Sequence, residues 1–113
     1  MPEKPTKPTK PGEWGKEDVL ELPSGNVVRV RRPLLYVWMK TGQLSKETAE
    51  TYRKSANDEK PTLDERWDAM NEVLCKCVVE PEWTLAPRDG SLHIDEVCDS
   101  DRAWLAMRLL VSL

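Results

Sequence analysis

Phenylalanine is missing from the 113 residues, and histidine occurs once. The first absence hands all large aromatic packing to Trp14, Trp38, Trp67, Trp83, Trp104 and two tyrosines. Each tryptophan can bury roughly 150–250 Å². The second absence leaves His93, in SLHID, as the one imidazole that could serve as a base. Asp95 follows it closely, yet no Gly-x-Ser-x-Gly turn or comparable nucleophile signature accompanies the pair. His93 therefore reads as a loop histidine beside an acid. A glycine-rich phosphate loop and a metalloprotease helix motif are missing as well. The carboxylate pairs Asp64 with Glu65 and Asp99 with Asp101 suit helix starts, where negative charge complements the dipole. No enzymatic activity and no cofactor are expected.

Cysteine is scarce and odd in number: Cys75, Cys77 and Cys98. A disulfide framework is not expected from that count, and reduced, buried thiols are. Cys75 and Cys77 fall in an expected helix, where a two-residue step turns the side chains about 200° apart. They are poorly placed to share one metal ion with His93 and Cys98, and the spacing matches no paired-thiol zinc pattern.

Excess charge of either sign is lacking too. The formal net charge of −3 offers no general attraction to nucleic acid or an anionic membrane. Long apolar runs are absent: LLYVWM falls far short of the roughly 20 residues that span a bilayer. The start, MPEKPTKPTKPG, has lysines but no apolar region behind them, so the expectation is an intracellular protein with no secretory signal.

What is present is ordered by pattern. Residues 1–16 form a Pro/Lys-rich arm, expected to be disordered and solvated because proline at that density denies the backbone its hydrogen bonds. Residues 17–113 leave room for one small domain. Period-two alternation places Leu20 and Leu22, then Val28 and Val30, on one face of two strands joined by Pro-Ser-Gly-Asn, and predicts a β-hairpin. Its outer face would pair Glu21 with Arg29 or Arg31. A hairpin alone is marginal, so its apolar face needs cover.

Pro33 and Gly42 bracket a short helix that is apolar nearly all round through Leu34, Leu35, Val37, Trp38 and Met39. Ser45 caps a second, peripheral helix with Ala49, Tyr52 and Ala56 inward. Asn57 to Lys60 is an exposed loop. Thr62 and Glu65 have capping-box spacing for a third helix whose stripe is Leu63, Trp67, Met70, Leu74 and Cys77, ended by Pro81 after VVE. A connector follows, with a turn at Arg88–Asp89–Gly90 and docking points Leu92, Ile94 and Val97. Asp99, Ser100 and Asp101 start a last helix, which brings Trp104, Leu105, Leu109 and Val111 to the core. The fold class expected is mainly α, a small single domain of about four helices with an N-terminal β-hairpin.

Two features remain to be placed. RVRR, residues 29–32, lies on a hairpin that could enter a DNA groove as a β-ribbon, although nearby carboxylates can balance it. The helix after Pro33 is apolar on more sides than a small core covers. Leu34, Leu35 and Trp38, extended by Trp83 between two prolines, are therefore the candidate partner-binding residues, with Trp14 beside the arm as a further contact.

The order of these parts resembles a known family. LELPSGNVVRVRRPLLYVWMKTGQLS, then VLCKCVVEPEW, then HIDEVCDSDRAWLAMRLL, are similar in sequence and order to segments of the tail assembly chaperones of long-tailed bacteriophages. The resemblance covers nearly everything after the Pro/Lys arm, which departs from it. It implies a non-enzymatic helper in the host cell cytoplasm that binds the tape measure protein, keeps it soluble, helps recruit the tail tube protein, and is absent from the mature virion. Self-association is compatible with that role; nucleic acid and membrane are not expected partners. Two other readings stay open: a small structural head–tail or tail accessory protein, and a small DNA-binding regulator using Arg29 to Arg32.

Overall fold

The computed structural model describes residues 7–14 and 17–110. Of the arm expected to be disordered, residues 1–6, 15 and 16 lie outside them. Within the arm, Pro11–Glu13 make one 3-10 turn, and the Trp14 indole donates to the Thr9 carbonyl at 3.2 Å.

Strands β1 (Asp18–Glu21) and β2 (Val27–Val30) pair antiparallel, with Leu20 opposite Val28 and Val19 opposite Arg29. The turn closes as its residue types dictate: Gly25 takes a φ of 92° and its N–H donates to the Leu22 carbonyl at 2.8 Å. Leu22, Val28 and Val30 are buried on the inner face. The outer-face pairing differs from expectation, because Glu21 sits opposite Val27. Arg29 reaches Glu17 at 3.1 Å and Glu80 at 2.7 Å instead.

Glu80 is available because the sheet has a third strand, β3 (Val78–Glu80), in the order β1-β2-β3. Sequence reasoning carried the preceding helix through VVE to Pro81. That helix stops at Cys77, where Arg31 meets its end: the Arg31 N–H donates to the Cys77 carbonyl at 2.8 Å and its Nε to the Lys76 carbonyl at 2.8 Å. Two carbonyls that a helix end leaves without partners are thus satisfied by the residue just after β2, and the β-branched Val78 and Val79 continue as strand.

The helices are α1 (Leu35–Lys40), α2 (Lys46–Ala56), α3 (Leu63–Cys77) and α4 (Asp99–Leu109). Gly42, at a φ of 73°, follows α1. Ser45 accepts from the Thr48 N–H at the start of α2, and Thr62 with Glu65 forms the capping box of α3. Helix α2 lies antiparallel along α3. Glu72 accepts from the Ser45 N–H at 2.7 Å and from the Thr48 hydroxyl at 3.2 Å, and Lys54 meets Glu65 at 2.8 Å near the opposite ends. The inner face of α2 holds Thr48 and Thr51 rather than Ala56, which is exposed.

The covered face of α3 is also rotated from expectation. Ala69, Val73, Leu74 and Cys77 are buried, while Leu63 is exposed and Trp67 sits at the margin. After β3, a connector folds back through a short parallel pair, β4 (Trp83–Thr84) with β5 (Leu92–His93), and a 3-10 turn at Ile94–Glu96. Ile94 and Val97 are buried and Leu92 packs on the core. Leu105 and Leu110 close the core from α4; Trp104 and Leu109 are partly buried against it. Val111, expected in the core, lies outside the described residues. The architecture is four helices around a three-stranded antiparallel sheet, with more strand than a hairpin alone.

Candidate functional site

The four candidate binding residues separate into core and surface. Trp83 is 2% exposed and Trp38 is 4% exposed. Both belong to the main core cluster, so neither offers the contact surface expected of it. Trp83 lies where β4 pairs with β5 and belongs to the same core cluster as Leu22, Val28 and Val97. The flanking prolines suggested exposure, and long-range pairing overrides them. Trp38 has the Arg31 guanidinium 5.6 Å from its ring centroid. Leu35 is half-buried against the core.

What remains outward is Leu34 at 58% exposed, Tyr36 at 71% and Val37. An α1 apolar on every side satisfies the core with Trp38 and still leaves three large apolar side chains in water. Trp14 is exposed as well.

A second apolar surface was not singled out from the sequence. Helices α3 and α4 run antiparallel, since Asn71 accepts from Arg102 at 3.4 Å while Leu63 shares a groove with Met107 and Leu110. The groove holds about 310 Å³. Leu63 is 77% exposed and Met107 83%. Trp67, expected as a core anchor, forms its wall with the Arg102 guanidinium 4.5 Å above the ring. The signal was present as Leu63 and Trp67 at a four-residue step, but the same periodicity describes a core stripe. Only the neighbours decide which half of the helix is covered.

Polar groups do structural work. His93 caps the 3-10 turn, its Nδ1 accepting from the Asp95 N–H at 3.0 Å. Asp101, buried at the start of α4, accepts from the Ser24 N–H at 3.0 Å and the Ser24 hydroxyl at 2.6 Å, tying the hairpin turn to the last helix. Burial raises the Cys75 thiol to about 11 and the Cys77 thiol to about 12. Among the described residues, no group of three or more His, Cys, Asp and Glu side chains is placed to hold a metal ion. No helix among them is long and apolar enough to cross a membrane. In RVRR, the Arg29 guanidinium is engaged by carboxylates and the Arg31 guanidinium by the Lys76 carbonyl, and Arg32 has no ion pair among the described residues.

Comparison with protein-family models, curated proteins and solved structures found no match.

Proposed function

We propose that the protein is a non-enzymatic tail assembly chaperone of a long-tailed bacteriophage, acting in the host cytoplasm by binding apolar stripes of the tape measure protein. The observation that carries this reading is the outward face of α1. Leu34, Tyr36 and Val37 stand exposed on the segment where the resemblance to that family is densest. A helical client with repeated apolar faces matches such a surface. By keeping the client's stripes out of water, the chaperone holds the client soluble for the tail tube protein to assemble around it.

Co-expression with the tape measure protein tests the reading. The client stays soluble with the wild-type chain and precipitates with Leu34→Asp, a substitution at an exposed position that leaves the fold intact. The interaction is mainly apolar, so calorimetry should record a negative heat-capacity change with weak salt dependence. A client that stays insoluble beside the wild-type chain overturns the chaperone reading. A client kept equally soluble by Leu34→Asp removes the α1 face from it.

A further inference from the structure

We infer that the client segment seated on α1 carries a carboxylate within its apolar stripe, and that Lys40 pairs with it. The occupant is then an amphipathic helix whose apolar face is interrupted by one Asp or Glu. This deepens the chaperone reading and rests on it for α1 as the docking face.

The position of Lys40 carries the argument. Lys40 follows Val37 by three residues and Tyr36 by four, the spacings that put side chains on one helix face. That face is the outward one, since Tyr36 is 71% and Val37 49% exposed while Trp38 is buried. At about 100° per residue, Lys40 stands about 40° from Tyr36 on one side and about 60° from Val37 on the other. The cation therefore lies inside the apolar patch, between its two helical members. Its Nζ is 5.7 Å from the Tyr36 ring centroid. Lys40 has no ion pair among the described residues.

The surrounding sequence supplies no carboxylate. From Leu22 to Lys46 the chain has five basic residues and no acidic one, in a molecule of net charge −3. Within that stretch Arg29 is taken by Glu17 and Glu80, and Arg31 by the Lys76 carbonyl. Lys40 is left to whatever covers α1.

Docking changes what its charge costs. Exposed, the ammonium is solvated; beneath a seated helix it loses water, and a covered ammonium without an anion is strongly unfavourable. A carboxylate opposite it replaces that cost with a charge-assisted hydrogen bond. A second copy of the chain is the wrong occupant on the same ground, because a twofold contact through this face sets two Lys40 ammonium groups against each other.

The test uses the full chain and three synthetic helical peptides with one leucine stripe, whose middle position is Glu, Gln or Lys. Nuclear magnetic resonance titration should show saturable binding with shifts centred on Tyr36, Val37 and Lys40. The affinities should fall in the order Glu, Gln, Lys, with about tenfold between first and last, a scale between exposed and buried ion pairs. Lys40→Met keeps the apolar stem and should remove the advantage of Glu over Gln. Lys40→Glu should reverse the order, whereas a merely structural lysine would weaken all three peptides alike.

No saturable binding, equal affinity for the Glu and Gln peptides, or an order unchanged by a folded Lys40→Glu variant would each overturn the inference. So would retention of the chain on phosphatidylserine vesicles that is lost in Lys40→Met, which would make an anionic membrane surface the occupant. The two proposals fail separately. A wild-type chain that leaves the tape measure protein insoluble yet ranks the peptides Glu, Gln, Lys sinks the chaperone reading alone. A client kept soluble by a chain that shows no such ranking sinks only the Lys40 pairing.

Discussion

At the scale of residues, the molecule depends on a few buried polar groups that join distant parts of the chain. Asp101 is 2% exposed and its carboxylate is used by Ser24, 77 residues away. Removing it by Asp101→Ala strands the Ser24 N–H in a partly buried site. We expect a loss of about 1–3 kcal/mol, read as a lower urea midpoint at unchanged slope. The cysteines divide by environment. Cys75 and Cys77 are held as thiols by burial, with values raised to about 11 and 12, and Cys98 is exposed. Because the thiolate is the nucleophile, iodoacetamide at pH 8 should modify Cys98 in the native chain and reach all three thiols only in denaturant. Rapid native modification of Cys77 would contradict the packing described.

At the scale of elements, α3 is the best-specified unit. Its capping box satisfies two N–H groups reciprocally, and Lys54 from α2 grips the same Glu65. The Lys54 hydrogen bond, first, and the Thr62 backbone N–H, second, lower the Glu65 carboxyl from 4.5 to about 2. A carboxyl whose folded value lies below its unfolded one adds stability that is present above the unfolded value and lost as pH falls through the folded one. The stability gap between wild type and Glu65→Gln should therefore be flat above about pH 5 and shrink between about 4.5 and 2. A gap that widened on acidification would reverse the sign and exclude this carboxylate as the cause.

For the whole molecule, the three-stranded sheet and the four α-helices share one core. Val30, 1% exposed, lies where β2 meets β3 and faces the packed interior. Val30→Asp should destabilise the whole domain by about 2 kcal/mol or more, through an unpaired buried charge. Thermal melting checks this, and an unchanged midpoint would show that the sheet face is free of the helices. Surface and core compete for the same residue types: Trp38 and Trp83 are spent inside, and Leu34, Tyr36, Leu63 and Met107 are left outside. That division leaves exposed apolar surface on α1 and between α3 and α4.

The sequence alone determined what nearest neighbours control. The hairpin turn follows from Gly25, the end of α1 from Gly42, and the start of α3 from Thr62 and Glu65, because each depends on sterics or hydrogen bonds within a few residues. Tertiary structure decided the rest. The end of α3 depends on Arg31, 45 residues before the Lys76 carbonyl it meets. The burial of Trp83 depends on the pairing of β4 with β5. Which half of α3 is covered depends on where α2 and α4 lie, so Leu63 and Trp67 read as core in a one-dimensional pattern and form a groove wall in three. Periodicity reports that a helix has an apolar side; only packing assigns each part of that side to the interior or to a partner.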